Sequence, residues 1–359
     1  MRILVLTDHS GHTVNNSLYA LVRAMLGVEG VGEIRVASRG TPANAEFFAA
    51  SAKTSTLQCV RAAEDFAFRE NSRSMFGTWD DGVPTAGNVA PGKAARSVFG
   101  TRNATVLTQL DWPDAVLLRI PHPVLVNWFS FLREAFGDTV IVNRPEGIAA
   151  TTSKAWLLNV PELCAPMALC RAAEEVQAFA NTHDTVLKPL EGYGGKGVIR
   201  ILRGTVEIGN RTFPIASWPK QPEASLPYLA MQYLPRVSEG DKRIVVASGR
   251  VLGAVNRVPA AGKWLANVAQ GGHAEPATLT PAEERIVEVL HPKMSALGVT
   301  MYGVDTLVGN EGHRVLSEVN TMSIGGLLDL PPTDGKPAAQ HAAEALVAAM
   351  GRGADVDVV

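Results

Sequence analysis

Apolar residues fall into short runs along this chain, and the spacing between runs changes character near Pro145. Before it, Arg2–Thr7 and Ala115–Ile120 are mainly apolar segments of strand length, the second interrupted by Arg119, as expected of strands buried on both faces. A polar turn, 8–16, separates the first from Ser17–Leu26, whose apolar positions recur at helical spacing. Thr139–Asn143 reads as a further strand, reached through an apolar helical segment. The first 145 residues are therefore predicted to build an open, mostly parallel α/β sheet. Within them, 41–108 reads as an Ala-rich helical section followed by a long surface loop at 71–102, rich in Gly, Pro, Ser and Thr.

Beyond Pro145 the pattern turns to hairpins. Asn143–Gly147 reads as a turn, and a helix carrying Lys154 is expected over 151–158. Val186–Leu190 and Val198–Leu202 flank a run containing four glycines; Tyr228–Leu234 is a strand stopped by Pro235. Asp241–Ala247 and Val251–Val258 pair around Ser248-Gly-Arg250, and Asn267–Gly272 is a glycine loop. Thr280-Pro-Ala-Glu283 is a capping box with proline at the first helical position, opening a helix that Gly298 closes. Thr300–Val308 and Arg314–Val319 follow as strands, then an Ala-rich helix over 337–350. The chain is read as three parts: 1–145, 146–233 and 234–359.

Composition adds mainly exclusions. Thirty-three basic against 35 acidic residues leave a formal charge of −2, so nothing favours nucleic acid or an anionic membrane. Three cysteines without C-x-x-C spacing argue against a disulfide framework or a zinc site. The apolar run at the N-terminus is too short for a signal-peptide core and no stretch approaches a membrane span, so a cytoplasmic protein is expected.

The chemistry concentrates in two places. Gly192-Tyr-Gly-Gly-Lys-Gly197, with Lys188 on the entering strand, presents backbone N–H groups and positive charge suited to a polyphosphate. It satisfies G-x-G-x-x-G but is followed by a strand, so it is no dinucleotide fingerprint; lacking Gly-Lys-Ser/Thr it is no P-loop, and without H-R-D and D-F-G it is no kinase loop. In the 300–319 hairpin, an even-membered 309–312 turn would pair Val308 with His313, Asp305 with Leu316 and Gly303 with Glu318. Asp305, Glu318 and Asn320 then share one face, two carboxylates and an amide oxygen suited to Mg²⁺, with Gly303 leaving room for the ion. In the first part, Asp8, His9, Asn16 and Ser17 lie beyond a strand's carboxyl end, where ligands gather, although Asn16 or Ser17 also suits a helix cap. Arg119, inside an apolar strand, needs a partner, either a structural carboxylate or an anionic substrate.

The segments VLKPLEGYGGKGVIRI, MQYLPRVSEGDKRIVVASGRVLGAVNRVP, NVAQGGHAEP, YGVDTL and SEVNTMS, in this order, resemble bacterial glutathione synthetase of the ATP-grasp superfamily. The resemblance runs from about Asp114 to Ser323. It implies an α/β fold of the ATP-grasp kind: an open parallel-sheet N-terminal domain followed by two ATP-grasp subdomains clamping ATP. It further implies that Lys154 and Lys188 contact ATP and that the loop with Gly192, Tyr193, Gly194, Gly195 and Gly197 closes over its phosphates. Gln232, Tyr233 and Leu234 would hold adenine, Asp241 would lie near the ribose, and Arg243 and Arg257 would face the reacting carboxyl phosphate. Asp305, Glu318 and Asn320 would bind two Mg²⁺, with Mn²⁺ as an alternative ion. Ser17 and Arg119, from their places in the first part, and Asn267 and Ser323 are the candidate substrate contacts.

The implied reaction joins a carboxylate to an amine through an acyl phosphate, as γ-glutamylcysteine to glycine, in a homo-oligomer, dimer or tetramer. One departure stands out: where the family commonly has Arg-Gly-Asn-Leu, this chain has Leu265-Ala266-Asn267-Val268. A ligase joining other amino acids or peptides is the rival reading. A non-catalytic ATP-binding protein would be expected to have lost the metal ligands, and all three are present.

Overall fold

The computed structural model describes residues 1–51, 54–68, 105–192, 195–220, 227–260 and 272–352. They form two compact units, one of the residues up to Pro145 together with the C-terminal helix, the other Glu146–Ala338.

In the first unit, β1 (Arg2–Thr7), β2 (Glu33–Ser38), β3 (Thr56–Arg61), β4 (Thr105–Gln109), β5 (Ala115–Arg119) and β6 (Val140–Val142) make one sheet in the order β4-β3-β2-β1-β5-β6. The four strands β2, β1, β5 and β6 are parallel, in keeping with the mainly apolar runs of β1 and β5; Ile3, Leu4, Val5 and Leu6 are fully buried. The neighbours of β1 are β2 on one side and β5 on the other, so strand order reverses at its carboxyl end. Helix α1 (Leu18–Leu26) follows β1 as expected. Between β2 and β5 the expected Ala-rich helix shrinks to the single turn α2 (Ala45–Phe48), and the antiparallel strands β3 and β4 take much of its place. Polar Gln58 and Arg61 in β3 hid the strand pattern. The 71–102 loop lies outside the described residues. Helix α3 (Val126–Phe136) links β5 to β6, and helix α4 begins at Pro145 (Pro145–Thr152), earlier than expected, with Lys154 in a 3₁₀ segment beyond it.

The second unit holds two antiparallel sheets. The first comprises β7 (Met167–Cys170), β8 (Thr185–Pro189), β9 (Ile199–Leu202), β10 (Thr205–Ile208), β11 (Arg211–Pro214) and β12 (Tyr228–Gln232), ordered β11-β10-β9-β8-β12-β7, with α5 (Ala173–Ala180) beside it. The other comprises β13 (Asp241–Ala247), β14 (Arg250–Val258), β15 (His273–Ala277), β16 (Met301–Val308) and β17 (Arg314–Asn320), ordered β15-β14-β13-β16-β17. The continuous apolar run of β12 has a reason: Leu229 and Met231 enter a core shared with Ile244, Val304 and Leu316, while Tyr228 and Ala230 enter a second with Leu187, Ile201 and Trp218. Gly147 lets α4 pack closely, since a Cβ there would lie 2.2 Å from the Leu297 carbonyl oxygen. Thr151 of α4 then bonds Thr321, just past β17, at 2.7 Å. The C-terminal helix α7 (Ala338–Arg352), placed by the sequence in the 234–359 part, packs with the first unit instead.

The capping box forms at the start of α6 (Pro281–Ala296): the Thr280 hydroxyl accepts the Glu283 N–H, and the Glu283 carboxylate accepts the Thr280 N–H at 2.8 Å. That carboxylate also receives Lys242 Nζ at 2.7 Å and the Thr306 hydroxyl at 2.6 Å, with Arg314 at 3.6 Å, and is fully buried. Thr280→Ala should cost about 1 kcal/mol, the usual value of a lost cap. Glu283→Ala should cost about 3–5 kcal/mol, because Lys242 and Arg314 lose a buried countercharge. Urea unfolding distinguishes them; equal costs would mean that Glu283 acts as a cap alone.

Candidate active site

The face built by the third sheet rests on the register of β16 against β17. The connecting turn is odd, with Val308 opposite Arg314 and Thr306 opposite Leu316, so the even-membered turn expected from the sequence is incorrect. A five-residue turn by itself would send Asp305 and Glu318 to opposite faces. A one-residue bulge at Ser317 reverses the parity again, setting Asp305 opposite Glu318 and Gly303 opposite Asn320. The three residues share a face after all, with Asp305 and Glu318 as direct cross-strand partners rather than diagonal ones. A Cβ on Gly303 would lie 3.1 Å from Arg243 Cδ, so the space it leaves is taken by the arginine stem.

The same face extends across β13 and β14, where Arg243 pairs with Asp305 and Asp241 with Arg257 in the ladder. Arg243 grips Asp305 with two N–H groups, Nε to Oδ1 and Nη2 to Oδ2, the latter at 2.7 Å. Arg257 Nη2 lies 2.6 Å from Asp241 and 3.1 Å from Asp305, and Asn320 Nδ2 donates to Asp305 Oδ2 at 3.2 Å. Burial alone would raise the Asp305 carboxyl, but the two guanidinium groups hold it well below the usual carboxylate range. Asp241 is pushed the other way, to about 6, by burial working against the pull of Arg257. Lys154 Nζ donates to the Gly192 carbonyl at 2.7 Å and stands 3.9 Å from Glu318. Lys188 Nζ, lowered by burial, donates to the Ser317 carbonyl at 3.0 Å and hydroxyl at 2.9 Å. Four cations thus surround Asp241, Asp305 and Glu318 in the second unit.

The donor set fits a hard divalent ion. Two carboxylates directly opposite one another and an adjacent amide supply oxygen ligands, a composition typical of Mg²⁺ that keeps waters and meets phosphate oxygens. Among the described residues no cluster of three or more His, Cys, Asp or Glu offers a competing site.

The glycine loop lies between β8 and β9, which pair as a hairpin. Gly192, Gly195 and Gly197 all take positive φ, so this backbone demands glycine; Tyr193 and Gly194 lie outside the described residues, as do Asn267 and Leu265. β12 ends at Gln232, with Tyr233 and Leu234 just past it: the N–H of Tyr233 is given to Asp184 and that of Gln232 to Pro166, and both residues line a cavity of about 560 Å³ with His183, Arg203 and Asn310. Ser323 sits at positive φ in the turn after β17.

In the first unit, Arg119 ends β5 beside Thr7, and its Nη2 donates to the Ser17 hydroxyl at 2.9 Å. Ser17 therefore serves the arginine rather than capping α1; the local turn is made by Asn16, whose side chain accepts the Leu18 N–H. Burial pulls Arg119 down to about 10. Asp8 turns to Ser10 and Arg39, and the His9 ring meets the Ser38 hydroxyl at 2.6 Å. Sequence reasoning passed over His12. The Thr7 hydroxyl donates its one hydrogen to the Arg119 carbonyl, so at 3.4 Å His12 Nε2 must be the donor to Thr7, and Nδ1 accepts from Tyr19 at 2.9 Å. Burial, with His9 and Arg119 nearby, lowers His12 to about 4. A group depressed on folding gives its full stability above its unfolded pKa near 6.5 and loses it as pH falls toward 4. The wild type should weaken over that window by up to ~2 kcal/mol after allowance for the ring's partial exposure, and His12→Asn should flatten the slope. Parallel slopes in urea titrations would remove His12 as the cause.

D-cycloserine synthetase DcsG aligns over 96% of this chain and 100% of its own, with a TM-score of 0.58 at 13% identity. The macrocyclase MdnC of Microcystis aeruginosa, bound to its precursor peptide, aligns over 97% and 100% with a TM-score of 0.55 at 14% identity. The fold is that of the ATP-grasp proteins, and because the alignments are nearly complete they take in the first unit. Glutathione synthetase of Bradyrhizobium diazoefficiens is 33% identical over 218 residues, 60% of this chain and 66% of that protein. The Synechococcus elongatus enzyme is 30% identical over 67% of this chain and 72% of its own. The chain spans just under two thirds of the length of the first of these relatives. Residues 153–334, half of the chain, match the family described as prokaryotic glutathione synthetase, ATP-grasp domain, and the chain belongs to that family.

Proposed function

We propose that this protein is an ATP-dependent ligase that joins a carboxylate to an amine through an acyl phosphate. The observation that carries the reading is the single face on which Asp305, Glu318 and Asn320 lie beside Arg243, Arg257, Lys154 and Lys188. In this reading Lys154, Lys188 and the 192–197 loop hold the nucleotide phosphates, Gln232, Tyr233 and Leu234 hold the base, and Asp241 lies near the ribose. Asp305, Glu318 and Asn320 would hold Mg²⁺, which would supply neutralisation of phosphate charge. Attack of the substrate carboxylate on the γ-phosphate breaks its bond to ADP, which leaves, and builds charge that Arg243 and Arg257 can stabilise; no nucleophilic side chain is needed. The amine then displaces phosphate.

In the first unit, the Arg119–Ser17 pair at the point where strand order reverses supports contact with an anionic substrate group. Family membership favours γ-glutamylcysteine and glycine as substrates. Leu265, where the family commonly has arginine, favours keeping a ligase of other amino acids as the second reading. Phosphate release from ATP and Mg²⁺ should be measured across a panel of carboxylates and amines, starting with γ-glutamylcysteine plus glycine. Release that needs both partners supports the ligase; ATP turnover indifferent to every carboxylate would overturn it. Release with γ-glutamylcysteine and glycine alone would decide between the substrate readings.

A further inference from the structure

Ser317 carries no part of the chemistry above, yet it is the residue at which the β17 ladder breaks. The register passes from Thr306–Leu316 to Asp305–Glu318, and Ser317 is left without a partner strand residue. A bulged residue has its carbonyl released from the ladder. Here that carbonyl and the side-chain hydroxyl converge on one atom, Lys188 Nζ, at 3.0 and 2.9 Å. Ser317 is only 8% exposed, so the contact is held away from solvent. An ammonium has three N–H donors. Two are engaged by Ser317, and the third has no acceptor among the described residues. Lys188 stands on β8 of one sheet and Ser317 on β17 of the other, so the contact fixes the lysine relative to the carboxylate face.

We propose that Ser317 is a positioning residue for nucleotide binding: its carbonyl and hydroxyl hold the Lys188 ammonium beside Glu318 with one N–H left for a nucleotide phosphate. This rests on the reading of Lys188 as a phosphate contact. The bulge then has two effects from one inserted residue, since it brings Glu318 onto the face of Asp305 and supplies the two acceptors that orient the lysine.

The test is calorimetric titration of the full chain with ADP plus Mg²⁺ and, separately, with adenosine, in the wild type, Ser317→Ala, Ser317→Cys, Ser317→Thr and Lys188→Met. Removing the hydroxyl leaves the backbone acceptor in place, so ADP affinity should fall about five- to tenfold in the Ala and Cys variants. Adenosine affinity should change less than twofold, and Thr should restore ADP binding to within about twofold of the wild type. Lys188→Met should lose more than either. Ala and Cys variants that bind ADP like the wild type while Lys188→Met does not would overturn the proposal and leave the lysine's role standing. Equal losses for ADP and adenosine would reduce Ser317 to a structural tie, which also overturns it. Wild-type ADP affinity in Lys188→Met would remove the phosphate reading of the lysine itself.

Discussion

Glu318→Gln should abolish ATP-dependent phosphate release while leaving the melting temperature within a degree or two of the wild type. The side chain is 27% exposed, and its one ion pair among the described residues, with Lys154, is long at 3.9 Å. A pair of that kind contributes about 0–1 kcal/mol, and Lys154 keeps its bond to the Gly192 carbonyl. The amide matches the acid in size, so packing is unchanged. What the proposed site would lose is a charged hard ligand directly opposite Asp305. Metal neutralisation of transition-state charge is worth several kcal/mol, so turnover should fall roughly 10³-fold. Thermal melting and phosphate release measured on one preparation decide it: near-normal turnover at saturating Mg²⁺ would end the assignment of Glu318 as a ligand.

Asp305→Asn should fail on both counts. The residue is a ligand in the proposed site and also the countercharge of Arg243 and Arg257, with its side chain 7% exposed. Removing one member of a buried ion pair costs about 3–5 kcal/mol, because the remaining charge is left uncompensated. Arg257 retains Asp241 at 2.6 Å, which argues for the lower end. A loss of ~3 kcal/mol corresponds to roughly 6–12 °C in a unit of this size. From the sequence, the substitutions of Asp305, Glu318 and Asn320 are expected to act alike, each removing a ligand and sparing the fold. The structure separates Asp305 from Glu318, and a melting temperature for Asp305→Asn equal to that of Glu318→Gln would contradict the charge network.

Periodicity was readable wherever one element decides its own pattern. The glycine hairpin, the capping box of α6 and the buried strands β1 and β5 all lie close to their predicted places, because apolar spacing and turn chemistry are local. The β16–β17 register was not local. It depends on a turn of odd length and on an inserted residue that looks like any other serine, and two errors of parity happened to cancel. The strand β3 was missed because its polar positions mask the alternation, and the docking of α7 with the first unit has no signature in the helix itself. Glu283 was legible as a cap but not as the hub for Lys242, Thr306 and Arg314, since those partners come from three different strands. Arg119 and Ser17 were singled out separately from strand ends and apolar context; their mutual hydrogen bond required the fold.

The guanidinium groups on Asp305 also bear on the order in which ligands can arrive. Both oxygens of this carboxylate are engaged, by Arg243, Arg257 and the Asn320 amide, so a free divalent cation must compete with two resident cations for it. In the proposed site a nucleotide would change that competition, because its phosphate oxygens would give the arginines another anion to grip. Metal and nucleotide should therefore enter as a pair, each raising the affinity for the other by the same factor. The arginines should also do the ion's electrostatic work until it arrives, leaving a fold whose melting temperature is indifferent to chelators.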